Sequence, residues 1–214
     1  MEVRGWLLVS VCASIFLAVA GDSRNHAKVE VTVYFETLCP DSKMFFRSQL
    51  LPTYTDLKDI LDVNFVPFGK ALARPRLREG RVSFEFQCQH GQRECQGNRV
   101  MSCAQSVLSK EDQMRLFSCM MAKRDPAAAG RECTQALDME WDPIERCAGR
   151  KLGAVLLYMN GRKTAVLRPK LNFVPTVTIN GEYTRDNLQN RLESLKEAVC
   201  EAYTGDHPKC VNFV

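Results

Sequence analysis

The stretch VEVTVYFETLCPDSKMFF, residues 29–46, decides the fold. Val29, Val31, Val33 and Phe35 alternate with Glu30, Thr32, Tyr34 and Glu36, the period-two pattern of a strand with one apolar face. The strand ends at Cys39, and Pro40 suits the first turn of a helix. Met44, Phe45, Leu50 and Leu51 continue at helical spacings until Pro52, which bends or divides the segment. A second apolar, β-branched run, DVNFVPF at 62–68, is closed by Gly69. The opening is therefore a βαβ unit with a thiol at the carboxyl end of its first strand. A cysteine three positions after Cys39 would complete a dithiol site, but Ser42 stands there.

The rest of the chain supplies matching parts. LGAVLLYMNG predicts a helix with Leu152, Val155, Leu156 and Met159 on one face, stopping at Gly161. VPTVTINGEY predicts a strand with an Asn180-Gly181 turn, and Leu188, Leu192, Leu195 and Val199 mark a closing amphipathic helix over 186–203. Ahead of these, KALARPRLREGR concentrates Lys70, Arg74, Arg76, Arg78 and Arg81 and reads as a solvated basic loop. The net charge of +4 is too mild to suggest nucleic acid.

Residues 1–20 read as a signal peptide. Arg4 precedes the apolar WLLVSVCASIFLAVA, and the small residues Ala18-Val19-Ala20 allow cleavage after Ala20. No later apolar run has spanning length, so residues 21–214 are expected to form one exported domain, with a helical insertion over about 88–149. Of the ten cysteines, Cys12 leaves with the leader, and nine enter an oxidising compartment, an odd number that leaves one sulfur over. Within the insertion, the helix starts at Ser109 and Asp142 are symmetric about a turn in KRDPAAAGR, as are Cys119 with Cys133 and Cys103 with Cys147. An antiparallel helical hairpin would pair these sulfurs. Cys88 then bridges Cys95 and Cys200 bridges Cys210, one choice among several connectivities, and Cys39 is the orphan. Cys88, His90, Cys95 and Cys103 can also be drawn as zinc ligands, but export favours disulfides for these sulfurs, so no metal is expected and His90 reads as a turn or packing residue.

Unpaired N–H groups at a helix start favour thiolate over thiol, which makes Cys39 the candidate nucleophile, open to solvent at the strand–helix joint. Ser42, one turn on, can donate a hydrogen bond to the sulfur but cannot resolve a mixed disulfide.

A strand ending in Cys-x-x-Ser, a helix, a strand, a helical insertion and a Val-Pro-Thr strand resemble an α/β thioredoxin-like fold. More narrowly, CQHGQRECQGNRVMSC, residues 88–103, resembles the signature of the gamma-interferon-inducible lysosomal thiol reductase family through Cys88, Gln89, His90, Gly91, Glu94, Cys95, Asn98 and Cys103. With FETLCPDS and FVPTVTING the likeness spans essentially all of residues 21–214. It implies a thiol–disulfide oxidoreductase of the secreted or endosomal–lysosomal lumen, acting on protein disulfides, with a role in host defence. It implies Cys39 as nucleophile, Pro175 as a cis proline, and a substrate surface at Pro40, Asp41, Val174 and Pro175. The sequence departs from the pattern at Ser42, in place of a resolving cysteine, at Met101, in place of an acidic residue, and in lacking any Asn-x-Ser/Thr sequon. The expected chemistry is monothiol exchange without a cofactor, resolved by an external or substrate thiol. The alternatives are a binding module that retains partners as mixed disulfides and a homodimer bridged through Cys39.

Overall fold

The computed structural model describes residues 26–183 and 185–213. The leader read over 1–20 lies outside the described residues. Strand β1 (Val29–Phe35) lies between β2 (Leu61–Pro67), which is parallel to it, and β5 (Thr176–Ile179), which is antiparallel. Helix α1 (Pro40–Phe45), a π-helical turn (Phe46–Leu50) and α2 (Leu51–Leu57) carry the chain from β1 to β2. Pro52 divides the segment by sitting in the first turn of α2, where a missing N–H is tolerated.

The register sets Val33 between Phe65 and Val177. The apolar half of β1 thereby enters a core in which the Phe35 and Phe46 rings, and the Phe65 and Phe117 rings, lie 4.9 Å apart. Each such ring is worth about 1.5–3 kcal/mol of apolar burial. On the polar side of β1, Glu30 is exposed and Tyr34 half-buried, but Thr32 is buried; α7 (Lys151–Val166) packs against β2 on this side and faces Thr32 and Tyr34 across a cavity. Glu36, one residue past the strand, is buried as well.

The insertion consists of α3 (Gln92–Ala104), α4 (Lys110–Met121), α5 (Pro126–Ala136) and α6 (Asp142–Ala148). Ser109 caps α4 by accepting the Asp112 N–H at 3.1 Å, and Asp125 caps α5 by accepting the Ala128 N–H at 3.2 Å. The turn is therefore shorter than KRDPAAAGR suggests: Pro126 already begins the next helix. Disulfides join Cys119 to Cys133, Cys103 to Cys147, Cys88 to Cys95 and Cys200 to Cys210. Met101 is fully buried on α3, a setting in which a thioether packs and an unpaired carboxylate would be costly. Removing the Cys103–Cys147 bridge, which spans a sequence separation of 44, is expected to cost about 4 kcal/mol on the chain-entropy account. A double alanine variant that unfolds at the wild-type urea midpoint would refute this.

Three sequence readings are corrected. The basic segment is not a loop: β3 (Leu72–Arg78) pairs antiparallel with β4 (Arg81–Gln87) around a Glu79-Gly80 turn, and the Phe84 ring stacks on Tyr158 of α7 at 4.5 Å. Helix α7 does not stop at Gly161, which is kept small by Phe68; a Cβ there would lie 2.7 Å from the ring. Its buried positions are Gly153, Leu157 and Asn160, while Leu152 and Met159 face solvent. The closing helix is two, α8 (Arg185–Glu193) and α9 (Leu195–Ala202), interrupted where Ser194 leaves helical geometry. Among the described residues, no helix is long and apolar enough to cross a membrane.

Candidate active site

Cys39 is the N-cap of α1, with extended backbone (φ −63°, ψ 122°) and Pro40 next in the first turn. Its sulfur accepts the Ser42 N–H at 3.5 Å and lies 3.7 Å from the Val174 carbonyl, to which the thiol can donate. The Val174–Pro175 peptide bond is cis. Among the described residues Cys39 is the free cysteine. The chain thus brings Cys39, Pro40, Asp41, Ser42, Val174 and Pro175 together at the carboxyl end of β1.

Two features differ from the sequence reading. Cys39 is only 5% exposed rather than open to solvent, because the turn carrying Val174 closes over the sulfur. The Ser42 contact to that sulfur comes from its backbone N–H, while its hydroxyl accepts the Glu36 N–H at 3.4 Å. Pro40 and Asp41 are exposed beside the thiol. A groove of about 240 Å³ opens beside Asp41 and Pro175, its lining including Met44, Phe45, Ser48 and Phe173.

The loop that presents Cys39 is held from below by α3. The Thr37 N–H donates to Asn98 Oδ1 at 3.0 Å, and the Thr37 hydroxyl donates to the Glu94 carbonyl at 3.2 Å. Gly97 makes this approach feasible, since a Cβ there would meet Thr37 Oγ1 at 2.5 Å. Next to Thr37, the Glu36 carboxylate is buried; Oε1 accepts the Lys70 N–H at 2.6 Å. Burial pushes the Glu36 carboxyl above the ordinary range, with Glu94 adding to the shift and the Lys70 N–H and His90 opposing it. His90, read from sequence as a turn or packing residue, does lie in the turn before α3, with Nδ1 2.5 Å from Glu94 Oε2 and 3.6 Å from Glu36 Oε2. The Cys88–Cys95 bridge closes the turn that carries it. On the opposite side, Lys43 of α1 donates to the carbonyls of Lys123 and Arg124 at 3.0 and 2.9 Å, fastening the helix to the α4–α5 turn.

Residues 30–137 match the family described as gamma interferon inducible lysosomal thiol reductase (GILT). A gamma-interferon-inducible lysosomal thiol reductase of Carassius auratus is 35% identical, the alignment covering 86% of this chain and 72% of that one. The chain belongs to the GILT family. The family's mouse protein of the same name is 33% identical, over 83% of this chain and 68% of its own. In fold, the GILT chain is similar to reduced DsbA from Mycobacterium tuberculosis, with a TM-score of 0.57 at 18% identity and 90% of each chain covered. DsbA of Chlamydia trachomatis superposes with the same TM-score of 0.57 at 11% identity, over 83% of this chain and 89% of that one. Those two likenesses concern the fold alone.

Sequence reasoning missed Glu36, Thr37, Glu94 and Asn98 as the support of the Cys39 loop. Within the GILT signature, the His90–Glu94 spacing of four residues was the legible trace of it.

Proposed function

We propose that this thiol–disulfide oxidoreductase acts on protein disulfides through one sulfur, that of Cys39, and hands the resulting adduct to a second thiol. The observation that carries the reading is an unbridged cysteine capping α1 beneath a cis Val174–Pro175 turn, with Ser42 where a resolving sulfur would stand. The Cys39 thiolate attacks one sulfur of the substrate disulfide, and the other substrate sulfur departs and takes up a proton. An external thiolate then attacks Cys39 of the mixed disulfide and releases the substrate thiol. A second external thiolate restores Cys39 and leaves the external pair as a disulfide. If a thiol of the substrate itself attacks the adduct, the net result is isomerisation. No cofactor enters; the electrons come from the external thiol. A substrate segment beside Pro175 takes over the contact that Val174 now makes with the sulfur, which opens the site. The secretory or endosomal–lysosomal lumen, and a part in host defence, fit the oxidised scaffold and the names of the relatives.

A second reading, retention of partners as stable mixed disulfides, is favoured by the same absence of a resolving sulfur. A homodimer bridged through Cys39 is a third reading, which the burial of the sulfur weighs against, since both copies would have to open the Val174 turn at once. Raising glutathione over a fixed amount of a disulfide-bonded protein substrate should increase the turnover rate and lower the adduct found by mass spectrometry on the Cys39 peptide. A rate indifferent to glutathione would reject the single-sulfur route; an adduct that survives millimolar glutathione would establish the retention reading instead.

A further inference from the structure

Glu36, His90 and Glu94 bring one carboxylate oxygen each and one imidazole nitrogen to within 4.8 Å of one another. They come from the exit of β1, the turn before α3 and the first turn of α3, three places that the fold need not have gathered at one point. Both carboxylates are fully buried. Glu94 is engaged through Oε1 with the His90 N–H at 3.1 Å and through Oε2 with His90 Nδ1. Glu36 is not equally served: Oε1 takes the Lys70 N–H, but Oε2 is buried, faces the cluster and has no hydrogen-bond partner. A buried carboxylate oxygen without a partner forfeits its hydration, and two buried carboxylates sharing one imidazole leave negative charge uncompensated. An ordinary structural pair would end with both oxygens satisfied. This one ends with an acceptor aimed at the place where a cation would balance the site.

We propose that Glu36, His90 and Glu94 form a binding site for a divalent transition cation of the zinc class. The ligands are Glu36 Oε2, His90 Nδ1 and Glu94 Oε2, with bonds of about 2.0–2.2 Å, which place neighbouring ligand atoms about 3.3 Å apart in a tetrahedral shell. The 3.6 Å from His90 Nδ1 to Glu36 Oε2 is already close to that spacing, and the 2.5 Å to Glu94 Oε2 widens once the cation replaces the proton between them. The His90 side chain is 37% exposed, so water completes the shell and the ion enters from that side. The donor set selects the metal. One imidazole and two carboxylates suit zinc, whereas calcium requires six or more oxygens that the cluster does not offer. These donors differ from the Cys88, His90, Cys95 and Cys103 set conceivable from sequence, whose sulfurs are all in disulfides. A cation here would tie the residue before Thr37 to α3 and so stiffen the loop that ends at Cys39.

The test is calorimetric titration of the whole chain with zinc chloride, and separately calcium chloride, using both the wild type and Cys39→Ala so that the thiol cannot supply the site. One equivalent of zinc should bind to both, calcium should give no saturable heat, and His90→Gln and Glu94→Gln should each weaken zinc by about tenfold or more. His90→Gln is the deciding variant, because a partly exposed turn residue can be exchanged without disturbing the core, which far-UV circular dichroism checks. Zinc binding that is absent from the wild type, is lost in Cys39→Ala, or keeps its affinity in folded His90→Gln overturns the proposal; the last result places the ion at another histidine, such as His207, which lies 3.3 Å from Asp59.

Discussion

Cys39→Ala reduces exchange activity to the background rate of the external thiol, a loss of about 100-fold or more, since the substituted atom is the one that attacks. The loss should come without loss of fold. The sulfur holds only the Ser42 N–H and the Val174 carbonyl, at 3.5 and 3.7 Å, and neither contact braces the core. Its removal leaves a small void worth about 1 kcal/mol. Activity on a disulfide-bonded protein and the urea midpoint of the same preparation are the two measurements needed. An alanine variant that turns over substrate at the wild-type rate ends the case for chemistry at Cys39 and leaves the groove beside Pro175 as a binding surface.

Ser42→Cys works in the opposite direction. The side chain at 42 lies one helical turn after the cap, and its backbone N–H already points at the Cys39 sulfur. A thiol there can attack an adduct on Cys39, close a 39–42 disulfide and release the substrate without waiting for a third molecule. Release should accelerate by about tenfold or more at low external thiol, and the adduct should become scarce. The exchange enlarges a fully buried position by less than a methylene and forgoes the hydrogen bond from Glu36 N–H to the hydroxyl, so a modest fall in stability is expected. If the adduct on Ser42→Cys persists as long as on the wild type, the new sulfur is not aligned, and the serine is not what limits release.

Local patterns read well where one interaction dominates. The alternation from Val29 to Phe35, the proline at helix position one, the serine cap at 109 and the Asn180-Gly181 turn each reflect a short-range rule, and each is found in the chain. What was not legible depends on a second surface. Glu36 continues the polar phase one residue past β1 yet is fully buried, because the Gly69-Lys70 turn and the His90 turn before α3, both remote in sequence, close over it. Gly161 carries the local mark of a helix stop, but its small size serves the Phe68 ring packed against it. The arginines of β3 hid one strand of a hairpin whose other strand, β4, stacks Phe84 on Tyr158 of α7, remote in sequence. At the site, the orphan sulfur followed from parity and symmetry, while its cover by Val174 and the support from Thr37, Glu94 and Asn98 required three segments to meet.

The carbonyl in contact with Cys39 also bears on how the thiol meets oxidants. Peroxide converts an accessible thiolate to sulfenic and then to sulfinic acid, and the later steps are not reversed by ordinary thiols. A dithiol enzyme escapes by closing on itself; a chain with serine at 42 has no such refuge. A sulfur only 5% exposed and in contact with the Val174 carbonyl is expected to react more slowly with peroxide than a solvent-exposed thiol would.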